Sequence, residues 1–188
     1  MTPEGILIWR MTIKYLQQRN PGVPGIVYKL EDEKTERRLE KVRNLWVTYS
    51  DVTRRPLKDI YCDKEIGKNC LSLDHFIPWS YIANDELWDL IPMLRTLNSS
   101  KGNKLPKWEK FFKLLVKEQY GLFCAVCNNT ELKKDFEECR KDNLNTLWST
   151  EQLYIPSNTE EQFANIFEEN MKPIYDSAYL QGYDIWNI

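Results

Sequence analysis

The stretch that decides the fold is a short apolar run that ends in an acid and a histidine before a proline, Leu71-Ser72-Leu73-Asp74-His75-Phe76-Ile77-Pro78-Trp79-Ser80. This pattern suits a β-strand, which Pro78 ends or bends. His75 is the only histidine among the 188 residues. Imidazole is the side chain best suited to proton transfer near neutral pH, so His75 is a candidate general base. A lone histidine is more often structural, and it is the neighbouring residues that favour the catalytic interpretation.

The segments on either side predict a hairpin and then helices. Ile60-Tyr61-Cys62 predicts one strand, residues 63–69 the turn and residues 70–77 the second strand. Residues 95–103 predict a short helix, and Pro106 opens a longer one. The longer helix has an apolar face made of Trp108, Phe111, Phe112 and Leu115. Further helices are expected over residues 6–18, 31–46, 130–142 and 158–182.

Composition predicts a folded chain outside the membrane. The apolar content is 42%, and seven Trp and ten Tyr favour packed structure over disorder. The absence of any apolar run of 18 residues predicts no transmembrane helix, and the first residues lack the pattern of a secretory signal. The five cysteines are not arranged as a dense disulfide framework, so we expect a reducing, cytoplasmic location.

Three regions are expected: a helical N-terminal region (1–54), a core (55–120) and an acidic helical C-terminal region (121–188) that packs with the core as one unit. Residues 1–128 carry 21 Lys and Arg against 16 Asp and Glu, whereas residues 129–188 carry 5 against 12. A nucleic-acid surface, if present, should lie in the first part, since the acidic part would repel phosphate. The acidic part suits a protein partner, although solvated helix faces would give the same pattern.

The residues that carry chemistry are Asp74, His75 and Asn98. A strand followed by a loop, a strand and a helix could bring the three together. One carboxylate, one amide oxygen and waters suit Mg²⁺, and the imidazole would remain available as a base. A base for water and a cation for the developing charge are the parts that phosphodiester cleavage needs.

In these residues the chain resembles the HNH endonucleases, whose core is the ββα-metal fold. The resemblance covers residues 57–106 and rests on the stretch around His75 and on Leu97-Asn98-Ser99-Ser100-Lys101-Gly102-Asn103-Lys104-Leu105-Pro106. It is similar above all to the branch that contains the HNH domain of RNA-guided CRISPR nucleases. The resemblance implies an α+β fold, with a small ββα-metal core embedded in a mainly helical chain.

The resemblance also implies roles for individual residues. His75 would be the general base, and Asp74 and Asn98 would hold Mg²⁺, or Mn²⁺ in its place. Lys101 would lie near backbone phosphate, and we expect Lys104 to help position the backbone. Asp89 stands where the family has an asparagine that braces the loop over the sheet, and an ionised Asp cannot donate a hydrogen bond as an amide does.

The function expected from these features is metal-dependent hydrolysis of DNA, with 5′-phosphate and 3′-hydroxyl products implied by the resemblance. No recognisable reader of base sequence accompanies the core. We therefore expect a prokaryotic effector nuclease, such as a subunit of an anti-phage defence complex, with a partner such as an ATPase or sensor subunit docking on the helical flanks. The alternative is a catalytically decayed HNH module that binds nucleic acid or a protein.

Aromatic residues of the C-terminal region fit either a partner interface or the chain's own core. They are Phe163, Phe167, Tyr175, Tyr179, Tyr183 and Trp186.

The cysteines leave three interpretations open. Cys124 and Cys127 form a Cys-x-x-Cys pair, which is half of a structural Zn²⁺ site and would need Cys62, Cys70 or Cys139 to complete it. The same pair fits a redox couple or ordinary buried thiols.

Overall fold

A computed structural model describes residues 39–188 of the protein together with Ile8, Met11 and Thr12. The expected helix over residues 6–18 lies outside the described residues apart from these three, which are helical. Residues 31–38 of the next expected helix also lie outside. The described elements are, in chain order, α1 (Glu40–Thr53), a 3₁₀ turn (Lys68–Cys70), β1 (Leu71–His75), α2 (Trp79–Ile82), a 3₁₀ turn (Leu87–Asp89), β2 (Leu90–Leu94), α3 (Arg95–Lys101), α4 (Trp108–Asn128), α5 (Thr130–Asn143), a π-helical turn (Ser149–Leu153) and α6 (Glu160–Leu180).

The centre of the fold is a two-stranded antiparallel sheet formed by β1 and β2. Leu71 lies opposite Leu94, and His75 lies opposite Leu90. α3 begins directly after β2 and packs back on both strands. The order strand, strand, helix confirms the predicted ββα core within a mainly helical α+β chain.

The predicted hairpin is wrong in its first strand, residues 60–62. Residues 60–62 form a turn, because the Asp59 carboxylate accepts a hydrogen bond from the Tyr61 amide at 2.8 Å. The Asp59 carbonyl also accepts one from the Asp63 amide at 2.8 Å. An aspartate that bonds to the backbone two residues ahead favours a turn over a strand. The second carboxylate oxygen of Asp59 accepts from the Leu94 amide at 2.7 Å, which fastens this turn to the end of β2.

The long helices α4, α5 and α6 supply much of the core around the sheet. The predicted apolar face of α4 is buried, and Trp108 stacks on Phe112 with 4.0 Å between ring centroids. The start of α6 is fixed by a capping box between Thr159 and Gln162, and Asn129 caps the start of α5. Each such cap contributes about 1 kcal/mol to the stability of the protein. None of the helices within the described residues is long and apolar enough to cross a membrane.

The end of the chain returns to the ββα core. The Trp186 amide donates to the Leu105 carbonyl at 2.7 Å, and the Trp186 ring lies edge-on to that of Tyr61. Of the six C-terminal aromatic residues, Phe163, Phe167, Tyr175 and Trp186 are buried in the chain's own core. Tyr179 is 56% exposed and stays available to a partner. One hydrophobic cluster therefore includes side chains from all three of the regions expected from the sequence.

Candidate functional site

Asp74 and His75 occupy the last two positions of β1, and both side chains are buried. Successive side chains of a strand point to opposite faces, so the two groups meet different partners. The Asp74 carboxylate accepts from the Tyr61 hydroxyl at 2.8 Å and from the Lys101 ammonium at 2.9 Å. Burial raises the pKa of Tyr61 well above its ordinary value, so this hydroxyl remains a hydrogen-bond donor.

Lys101 is the last residue of α3, and its side chain is only 1% exposed. Besides its ion pair with Asp74, the ammonium donates to the His75 carbonyl at 2.6 Å. Lys101 therefore ties the end of α3 to the end of β1. The resemblance implies that this lysine lies near phosphate, which stays a prediction; in the structure its ammonium is bonded to protein groups. Lys104, three residues further on, is exposed.

Asn98 lies on α3 one turn before Lys101, so both side chains face β1. The Asn98 amide nitrogen donates to the Ser72 hydroxyl at 2.7 Å and to the Leu73 carbonyl at 2.9 Å. These contacts place Asn98 beside the segment that carries Asp74. Because the nitrogen is held against the strand, the side-chain oxygen is the group left for a ligand.

Asp89 lies under the loop that follows β1. Its carboxylate accepts from the Ile77 amide at 2.9 Å, and its carbonyl accepts from the Phe76 amide at 2.9 Å. The second carboxylate oxygen is buried without a hydrogen-bond partner among the described residues. Burial raises the pKa of Asp89 well above its ordinary value, although the charge of Lys101 opposes this. A protonated Asp89 would resemble an asparagine in charge and shape, which suits the predicted role of loop bracing.

The imidazole of His75 has a partner that sequence reasoning missed. Its Nε2 lies 2.9 Å from a carboxylate oxygen of Asp85, and the two side chains are 5% and 6% exposed. Asp85 lies ten residues after His75, in the polar run Asn84-Asp85-Glu86. An acid in that loop was the available signal, but the direction of its side chain could not be predicted.

The C-terminal half of the chain holds this polar run in place. The Asn143 side chain donates to the Asp85 carbonyl at 2.7 Å. The Asn145 amide lies 3.2 Å from each carboxylate oxygen of Glu86, which also accepts from the Trp88 indole at 3.1 Å. Burial raises the pKa of Glu86 to about 7 despite these donors.

The raised pKa values of Glu86 and Asp89 predict a protein that loses stability as pH rises. In the unfolded chain these carboxyl groups lose their protons near pH 4, whereas the folded chain keeps them to higher pH. The folded state thus binds more protons in this range, and the free energy of unfolding falls with pH. The titration of Glu86 alone should lower the free energy of unfolding by about 3 kcal/mol between pH 4.5 and about 7.

Urea denaturation of the wild type and of Asp89→Asn between pH 5 and pH 8 measures this effect. Asparagine cannot ionise, so Asp89→Asn should be the more stable protein at pH 8 and should show the weaker pH dependence. A wild-type free energy of unfolding that stays level or rises over this range would contradict the prediction.

The donor set at Asp74 and Asn98 fits a hard divalent cation. Mg²⁺ is commonly held by one or two protein oxygens with water completing its octahedron, and each carboxylate oxygen of Asp74 has a second lone pair. Within residues 39–188 and the three isolated positions, no three His, Cys, Asp or Glu residues are grouped to hold a metal. The remaining ligands would therefore be waters or phosphate oxygens, and the cation would share Asp74 with the Lys101 ammonium.

The cysteines give no added support to a zinc site. Cys124 and Cys127 both lie within α4, and none of the five thiols is in a disulfide. Among the described residues, no third cysteine is grouped with this pair. Structural Zn²⁺ at Cys124 and Cys127 stays a prediction.

One comparison with known proteins gives a match. Residues 59–107 match the model of a family described as HNH endonuclease. Comparisons with curated proteins and with solved structures give no match. The matched segment contains the sheet and α3, and with them Asp74, His75 and Asn98. The sequence match and the ββα geometry together assign residues 59–107 of this chain to the HNH endonuclease family.

Proposed function

We propose that this protein is a metal-dependent endonuclease that hydrolyses phosphodiester bonds in DNA. The observation that carries the proposal is that Asp74 and His75 end β1, while the Asn98 side chain, on the helix that packs against that strand, donates to the Leu73 carbonyl next to Asp74. In our proposal a base, His75, and two oxygen ligands for a cation, Asp74 and Asn98, act together at this end of the ββα core. The family match over residues 59–107 supports a nuclease, and the DNA substrate and the metal are our inference.

Each residue has a role in the proposed reaction. His75 accepts the proton of the attacking water. Asp74 and Asn98 hold Mg²⁺ or Mn²⁺, which when bound supplies positive charge for the phosphate and the departing 3′-oxygen. Tyr61 and Lys101 fix the Asp74 carboxylate by donating to its two oxygens. Lys104 is exposed and contacts the DNA backbone near the site.

The burial of Asp74 and His75 supports an enzyme whose site must open before it can bind DNA. His75 is 5% exposed and Asp74 is 3% exposed, so a phosphodiester can reach them only after covering groups move. Such a nuclease cuts DNA slowly on its own and faster once the site is opened. We therefore propose an effector in a prokaryotic, cytoplasmic system such as anti-phage defence, where restraint protects the host's own DNA.

Cleavage of supercoiled and linear DNA in Mg²⁺, Mn²⁺ or EDTA tests the proposal. We expect cutting with either metal and none with EDTA, and products that carry a 5′-phosphate. Binding to DNA that weakens with salt, without cutting in either metal, would instead support the alternative of a decayed HNH module. A single-stranded RNA substrate in parallel distinguishes the two nucleic acids.

A groove on the helical flank favours a protein partner for this nuclease. It lies between α4 and α6, has a volume of about 830 Å³ and is lined by the apolar Trp108, Phe112 and Val116. Its charged lining residues are four acids, Glu109, Glu160, Glu161 and Glu168, and one base, Lys113. We propose that a basic amphipathic segment of a partner, such as an ATPase or sensor subunit, docks here by charge complementarity. Light scattering gives the oligomeric state of the isolated protein, and the cleavage assay gives its activity. A fully active monomer would count against an obligate partner.

A further inference from the structure

We propose that Asp85 is a positioning residue for His75. Its carboxylate holds the imidazole in the tautomer with the proton on Nε2, so that Nδ1 has the lone pair that accepts a proton from water. This inference rests on the proposed role of His75 as general base and adds to it the residue that orients the base.

With Asp85 ionised, this contact sets the tautomer of His75. An ionised carboxylate only accepts hydrogen bonds, so the His75 nitrogen 2.9 Å from Asp85 must carry the hydrogen. In a neutral imidazole the other nitrogen then has the lone pair. Both side chains are at most 6% exposed, so water competes little for this hydrogen bond.

The backbone around Asp85 is fixed from several directions. Ala83 has a φ of 53°, a left-handed conformation that costs a non-glycine residue about 1–2 kcal/mol. The strained turn ends α2 and leads directly into the loop that contains Asp85. The Asp85 amide donates to the Asn84 side chain at 2.9 Å, and its carbonyl accepts from Asn143. Strain that is held in place by surrounding contacts is typical of a segment with a functional task.

The proton transfer balances with this arrangement. The proton of the water moves to Nδ1 of His75, and the water oxygen forms the new bond to phosphorus as the bond to the 3′-oxygen breaks. The departing oxygen takes a proton from solvent. The imidazolium formed on His75 lies against the negative charge of Asp85, which stabilises it.

Kinetics of Asp85→Asn test the positioning role. Asparagine can donate to Nε2 and thereby favour the other tautomer. We expect kcat to fall by about 10²- to 10⁴-fold, the range attributed to general-base catalysis, with little change in KM. Asp85→Glu restores a carboxylate and should recover part of kcat. Asp63→Asn, the same change at a side chain that is 88% exposed, should leave kcat unchanged. Equal kcat values for the wild type and a folded Asp85→Asn variant would overturn the proposal.

A spectroscopic readout separates this inference from the proposed function. Because His75 is the only histidine, the ¹⁵N spectrum of histidine-labelled protein without DNA reports this one ring. At a pH where the imidazole is neutral, we expect the proton on Nε2 in the wild type and in Asp63→Asn. A proton on Nδ1 in the wild type would overturn the inference even if the protein cuts DNA. If the protein cuts nothing in any metal, the proposed function fails, whereas the Nε2 tautomer would still support the hold of Asp85 on the ring.

Discussion

His75→Ala is expected to abolish metal-dependent DNA cleavage, with a loss in rate of about 10²- to 10⁴-fold. No second histidine is present in the chain to take over the proton. The variant also leaves the buried Asp85 carboxylate without its imidazole partner, which should cost about 1–3 kcal/mol of stability. The remaining core should keep the protein folded. Plasmid cleavage gives the rate, and urea denaturation gives the stability.

His75→Gln is the matched control for this loss. Its amide nitrogen can donate a hydrogen bond to Asp85 but cannot accept a proton from water. It should therefore cut as poorly as His75→Ala while losing less stability. Cleavage at the wild-type rate by either variant would remove His75 from the mechanism.

Lys101→Met is expected to destabilise the protein by about 3–5 kcal/mol, the cost of breaking a buried ion pair by removing one partner. Methionine fills much of the volume but leaves the Asp74 carboxylate, 3% exposed, with only the Tyr61 hydroxyl as a donor among the described residues. It also removes the donor to the His75 carbonyl. The free energy of unfolding in urea measures the loss.

Two further variants give this prediction its controls. Lys104→Met makes the same change at an exposed lysine and should alter stability by no more than about 0.5 kcal/mol. Adding Asp74→Asn to Lys101→Met removes the unpaired charge and should restore part of the loss. A Lys101→Met protein as stable as the wild type would mean that the ion pair with Asp74 contributes nothing to the fold.

The sequence predicted β1 and the helices because these depend on local patterns, whereas the ββα core was implied by the resemblance to the HNH endonucleases. The apolar run before Asp74, the proline after it and the apolar periodicity of α4 each reflect backbone preferences over a few residues. The first strand was misplaced because Ile60-Tyr61-Cys62 has strand-forming side chains. Asp59 converts that segment into a turn by hydrogen bonds to the backbone.

The side-chain contacts of the candidate site could not be predicted from such local patterns. Lys101 reaches Asp74 across 27 residues, and its direction inward or outward depends on how α3 lies on the sheet. The carboxylate of Asp85 meets His75 because the turn at Ala83 directs the loop back toward β1. Residue type and spacing do not decide either contact, since an exposed lysine and a solvated loop acid would have the same sequence.

The hydrogen bonds from Asn143 and Asn145 to the loop have a consequence for protein synthesis. The loop partners, Asp85 and Glu86, leave the ribosome 58 and 59 residues before the groups that hold them. At about 5–20 residues per second, the nascent chain spends several seconds with this loop untied. The Leu105 carbonyl spends a longer time without its hydrogen-bond donor, the amide of Trp186. The order of translation therefore leaves the loop beside His75 without these hydrogen bonds until residue 145 has been made.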